Sequence, residues 1–166
     1  MFHIYCPHCC EYREEEEFHV AGQAHIARPL DPDACTDKEW GEFMGTQYNL
    51  SYPNGTLALQ VAMYVAGVRR GDEVICPSIT LWASALQSLN LGATAVFADV
   101  EPTTLCIDPD DLEKRITDKT KAIMVVHYCG YPCDMDRILP IARKYNLKVI
   151  EDVSHAHGSL YKGRKI

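Results

Sequence analysis

At 166 residues the chain can bury one respectable core, or a medium domain with an appendage. A hydrophobic content of 47% and a charged content of 23% are ordinary for a soluble globular protein, and the longest apolar runs, such as residues 122–126, are far too short to span a bilayer. The net charge is −7, and residues 1–44 carry all of it, with ten of the 23 acids but three of the 16 Lys and Arg, which argues against nucleic acid as a partner because phosphates want a basic footprint.

The chain opens on Cys6-Pro7-His8-Cys9, followed by the acidic run Glu14-Glu15-Glu16-Glu17, and to residue 35 its pattern is short, polar and turn-rich, with Pro29 and Pro32 breaking any helix. The N-terminus lacks the basic segment, long apolar run and small-residue cleavage site of an export signal, so the cytoplasm is the expected compartment. Thr36-Asp37-Lys38-Glu39 has the form of a capping box, which predicts a short helix through Trp40, Phe43 and Met44. Near Met44 the character changes, dividing the chain into residues 1–44 and 45–166.

The second part alternates strands and helices. A buried helix is predicted over 57–66, stopped by Gly67 and Gly71, then a strand over 73–76 and a helix over 81–90. A β-branched strand follows over 94–99, and Asp108-Pro109 opens a helix as N-cap and N1. A strand over 121–127 comes next, then a helix over 135–145 that tolerates Pro140 only near its first turn, and a strand over 148–152. This alternation predicts an α/β fold, a mostly parallel sheet with helices on both faces. Cys76, Cys106, Cys129 and Cys133 are scattered through it and are expected to be reduced, mostly buried thiols.

Three features carry chemistry in this part. Asn54-Gly55-Thr56 precedes the first long helix and could cradle a phosphate on backbone amides and a hydroxyl. Pro77-Ser78-Ile79-Thr80-Leu81-Trp82 sets an aromatic at a strand-to-helix junction, where its ring could stack on a planar cofactor. In Val149-Ile150-Glu151-Asp152-Val153-Ser154-His155-Ala156-His157-Gly158 the acid Asp152 ends a buried strand, placed to hold the N–H⁺ of a heterocycle. In this order and spacing, residues 45–166 resemble the DegT/DnrJ/StrS family of sugar aminotransferases, most closely at 71–78, 92–100, 117–127 and 149–158. Tyr161-Lys162-Gly163-Arg164-Lys165 is similar to that family's hairpin after the aspartate strand.

The resemblance implies part of the large domain of a pyridoxal-phosphate (PLP) enzyme that moves an amino group from an amino acid donor to a keto sugar, acting as a homodimer. It implies that Gly55 and Thr56 bind the cofactor phosphate, that Asp152 pairs with the pyridine nitrogen, and that His155 lies near the phenolic oxygen. The family's stacking aromatic falls at Leu81, with Trp82 next, so ring stacking by Trp82 and an ordinary core tryptophan both stay open. The Schiff-base lysine of the family lies further along than Ile166, and neither Lys162 nor Lys165 matches it. No catalytic residue is therefore assigned, and the chain alone is expected to show no transamination.

Cys6 and Cys9 have the Cys-x-x-Cys spacing that lets two thiolates bind one zinc from a tight turn; a thioredoxin-type redox motif is the competing use, but no βαβ pattern precedes it. Cys6-Pro7-His8-Cys9, Glu15-Glu16-Glu17-Phe18, Ala24-His25-Ile26-Ala27-Arg28-Pro29 and Asp37-Lys38-Glu39-Trp40 resemble the start of the sarcosine oxidase delta subunit, a small zinc-binding component of a flavin enzyme complex. Cys10, His8, His19, His25 or Cys35 could complete a metal, with free thiols as the alternative. The other function to weigh is thus a non-catalytic zinc-binding assembly module, and the abutting likenesses suggest a fusion, natural or mis-joined.

Overall fold

The computed structural model describes residues 2–5, 18–22, 37–46 and 49–166. The knuckle cysteines Cys6 and Cys9, the acidic run, Pro29, Pro32 and Thr36 lie outside the described residues. In chain order the elements are β1 (Phe2–Tyr5), β2 (Phe18–Gly22), α1 (Asp37–Met44), β3 (Asn49–Tyr52), α2 (Gly55–Val65), β4 (Glu73–Pro77) and α3 (Trp82–Asn90). Then come β5 (Thr94–Ala98), α4 (Pro109–Lys114), β6 (Thr120–Val126), α5 (Met135–Lys144), β7 (Lys148–Asp152), β8 (Leu160–Tyr161) and β9 (Arg164–Lys165).

Seven strands form one sheet in the order β3-β1-β2-β7-β6-β4-β5. The pairs β2·β7, β7·β6, β6·β4 and β4·β5 are parallel, while β1 runs antiparallel to both β2 and β3. Six of these strands therefore point the same way, and the mostly parallel α/β architecture is as predicted.

Period-two alternation sorts the core into two layers. Val74, Cys76, Ala122, Met124, Val126 and Ile150 pack under α2 and α3 through Ala58, Leu59, Ala62, Met63, Ala83 and Ala85. Ile75, Ile123, Val125 and Val149 face the other way, onto Leu112 of α4 and Met135, Ile138 and Ala142 of α5. A fully buried Ile or Met contributes roughly 1.5–3 kcal/mol over an exposed one. The central strands β4 and β6, buried on both faces, are for that reason near-continuous apolar runs, whereas β7 sets Val149 and Ile150 before two buried acids.

The predicted elements between residues 57 and 152 all occur, with ends shifted by no more than a residue or two. The helix ends follow the local chemistry. The Asn54 side chain accepts from Leu57 N at α2, and Asp108 accepts from Asp110 N at α4 with Pro109 at its first position. The final hairpin turns at Lys162 and Gly163, both with positive φ (50° and 82°), the backbone that suits a two-residue turn between twisted strands. Pro140 departs from expectation: it is the sixth residue of α5, past the first turn.

Strands β1, β2 and β3 were not predicted. Each has only four or five residues and pairs with partners far along the chain, a setting in which intrinsic preference says little. Cys76, Cys106 and Cys133 are buried free thiols as expected, whereas Cys129 is exposed.

Candidate functional site

Because β3, β4 and β7 point the same way in one sheet, their carboxyl ends share an edge. Two residues separate β3 from α2, four separate β4 from α3, and Asp152 is the last residue of β7. The N-termini of both helices and the Asp152 carboxylate thus collect along one edge, where α/β ligands gather.

Alternation also decides which face. Ile150 lies in the layer under α2 and α3, so Asp152, two residues on, points to that side, and Glu151 points to the other. Asp152 is 5% exposed. Its Oδ2 accepts from the Ser84 hydroxyl at 2.9 Å, and its Oδ1 accepts from the Ser154 amide at 3.1 Å and hydroxyl at 2.5 Å. All three donors are neutral, and Asp152 makes no ion pair with any described residue. Among the described residues no cation offsets this buried carboxylate, and a cationic ligand there would be stabilised.

At α2, Asn54 is extended and its side chain accepts from Leu57 N at 2.9 Å, while its carbonyl accepts from Ala58 N at 3.2 Å. The amides of Gly55 and Thr56 remain in the first turn, with the partial positive charge of a helix start and the Thr56 hydroxyl beside them. Gly55 is buried and Thr56 half-buried. Trp82, the first residue of α3, is 61% exposed and so is not a core tryptophan; Leu81 before it is 63% exposed. His155 is exposed in the turn after β7, its ring edge-on to Tyr128 with centroids 5.8 Å apart.

The sequence-based reading missed Ser84, Thr80 and Ser154, the hydroxyls around Asp152. A cue was present for Ser154 alone, since a hydroxyl two residues beyond an acid commonly bonds it locally; nothing local pointed to Thr80 or Ser84. It also missed the pair behind Asp152, on the opposite face of β7. There His127, fully buried, is 2.7 Å from Glu151 Oε2 through Nε2, and its Nδ1 accepts from the Cys133 amide at 3.0 Å. That amide bond fixes the ring proton on Nε2, which donates to Glu151. Beside it the Cys133 thiol donates to the Val126 carbonyl at 3.1 Å and the Cys106 thiol to the Tyr131 carbonyl at 3.2 Å; the neighbouring thiols interact, Cys133 lowering the pKa of Cys106 to about 6, while Cys106 and burial raise that of Cys133.

Lys162 reaches Asp136 and Lys165 reaches the Phe43 carbonyl, so both hairpin lysines are engaged away from Asp152. Among the described residues no group of three or more His, Cys, Asp or Glu could hold a metal, and no helix is long and apolar enough to cross a membrane.

Fold and site together define an α/β sheet that brings a buried acid and a helix start to one edge. Residues 36–166 match the DegT/DnrJ/EryC1/StrS aminotransferase family, and the chain belongs to it. It is 46% identical over 129 residues to GDP-perosamine synthase of Caulobacter vibrioides, covering 78% of this chain and 35% of that protein. Among solved structures, the aminotransferase from Psychrobacter cryohalolentis superposes with a TM-score of 0.76 at 46% identity, covering 78% of this chain and 33% of that one. NtdA from Bacillus subtilis, solved with bound cofactor PMP, superposes at 0.71 with 35% identity, covering 77% and 30%. The chain spans about a third of the length of the curated relatives it matches. Residues 3–56 also match the sarcosine oxidase, delta subunit family, and the two matches overlap over 36–56.

Proposed function

We propose that this chain forms the phosphate and pyridine-nitrogen half of a PLP pocket in an enzyme that transfers an amino group from an amino acid to a keto sugar. The observation that carries the reading is Asp152: a buried carboxylate, held by neutral donors, with no cation beside it among the described residues. A pyridinium N–H⁺ supplies that cation, so the residues present fit the cofactor. When bound, PLP supplies an electron sink, which a protonated ring nitrogen sustains.

The chain's own contributions follow from where its residues sit. Gly55 and Thr56 bind the phosphate through first-turn amides and a hydroxyl. Asp152 keeps the ring nitrogen protonated and sets the ring's orientation. Trp82, exposed at the start of α3, would be free to cover the ring, and His155 would attend its phenolic oxygen. Lys162 and Lys165, engaged by Asp136 and the Phe43 carbonyl, do not serve as the Schiff-base lysine. In the working enzyme the cytoplasm is the setting and a second copy the partner, a pairing supported by the apolar side chains that α3 leaves exposed at Leu86 and Leu89.

Titration with PLP, followed by borohydride, tests the reading. Reversible binding is expected, weakened at least tenfold by Asp152→Asn, with no stoichiometric adduct on Lys162 or Lys165. Binding that ignores Asp152→Asn would overturn the assignment, and an adduct with turnover would overturn the statement on the lysine.

The match of residues 3–56 to the delta-subunit family favours a second reading for that segment alone. Cys6 and Cys9 bind zinc there, in a module fused to the aminotransferase part. One zinc per chain after gentle purification is the expected result; freely titratable thiols with no metal would remove it.

A further inference from the structure

Two serines in one helix use their hydroxyls differently. Ser88 of α3 donates to the Ala85 carbonyl at 2.7 Å, the local bond that buried helical serines ordinarily make. Ser84, 1% exposed, instead reaches a side chain 68 positions away, donating to Asp152 Oδ2 at 2.9 Å. Its oxygen is 2.8 Å from the Thr80 hydroxyl, one turn back at the end of the β4–α3 connection.

The direction of these bonds can be worked out. An ionised carboxylate only accepts, so the single Ser84 proton goes to Asp152. The Ser84 oxygen is then left with lone pairs only, and Thr80 must donate to it. The result is a one-way chain, Thr80 O–H to Ser84 O–H to Asp152, in which each bond polarises the next. It enters the carboxylate at Oδ2 while Ser154 holds Oδ1 from the other side, so rotation of the carboxylate is blocked at both oxygens. No charge is added, and the full negative charge stays available to a ligand.

We propose that Ser84, steered by Thr80, is a positioning residue that aims the Asp152 carboxylate at the ring nitrogen of the bound cofactor. This rests on the reading of Asp152 given above. Ser84 does not touch the cofactor; it acts through Asp152, and its effect is confined to ligands whose ring carries a nitrogen at that place.

Binding of two probes separates the possibilities: pyridoxamine phosphate, and its carbocyclic analogue with C–H in place of the ring nitrogen. Hydrogen bonds to charged groups are worth enough that Ser84→Ala should weaken pyridoxamine phosphate about tenfold or more. Thr80→Val should weaken it roughly threefold, as expected for one neutral bond a step further away. Both variants should bind the carbocyclic analogue within about twofold of wild type, since a ligand without the nitrogen does not sense the aim of Asp152. Ser84→Thr retains the hydroxyl and should stay close to wild type, which guards against a folding defect in the alanine variant. Equal losses for both probes, or no loss for either, would show that Ser84 merely packs and would overturn the proposal. A wild-type chain that does not prefer pyridoxamine phosphate over the analogue, with Asp152→Asn also silent, would take down the Asp152 reading and this inference with it.

Discussion

Two neighbouring acids at the end of β7 answer to different faces of the sheet. Asp152 meets hydroxyls at the carboxyl edge of the sheet, whereas Glu151 accepts from a His127 ring that is itself tied to the Cys133 amide. The second pair is fully internal, so its worth lies in mutual satisfaction. Replacing His127 by Ala removes a donor from Glu151 and the acceptor of a buried amide, and should destabilise the chain by about 3–5 kcal/mol in urea unfolding. Ligand affinity measured where the variant remains folded should change little, because Asp152 points the other way. Asp152 was legible as a strand-end acid because a β-branched run led straight to it. Its partners were not, because nothing local links Ser84 to a residue 68 positions further on. The outward placement of Trp82 was equally hidden, since one aromatic in a strand-to-helix junction reads the same whether it packs inward or faces solvent.

At the scale of elements, punctuation made the fold readable. Gly67, Asp108 and Pro109 mark helix ends through backbone freedom, side-chain capping and a fixed φ, and those ends were placed to within two residues. Helix α5 is the exception, since it carries Pro140 in its interior. There proline supplies no N–H to the Asp136 carbonyl and its ring crowds that turn. The residue is exposed, so packing is barely involved. Pro140→Ala should therefore stabilise the chain by about 1–2 kcal/mol, the helix gain less the lost stiffness of the unfolded chain. A rise in the urea midpoint with an unchanged slope would confirm it, and a fall would show that the proline suits the bend of α5. The short strands β1 to β3 had no such markers; their existence depends on the sheet that receives them.

For the molecule as a whole, burial sets an alkaline limit. Cys76 sits in the middle of the core, and burial pushes its thiol up to about 12 from 9.0. Between those values the unfolded chain releases the proton and the folded chain keeps it, so stability falls as pH rises, by up to about 1.4 kcal/mol per pH unit. Cys76→Ala should flatten the loss above pH 9 in unfolding experiments, relative to wild type. If both decline in parallel, the thiol is not the group responsible. The order of the sheet also has a consequence in time. Strand β7 is the last of the seven to be made, yet it stands between β2 and β6. Until the ribosome has passed residue 148, two open edges wait for the same insert, one on each half of the sheet. Unpaired edges invite pairing with other chains, and distant pairings form slowly. The emerging polypeptide is thus most exposed to aggregation just before the segment bearing Asp152 arrives, and the strand that carries that acid is also the one that joins the two halves of the sheet.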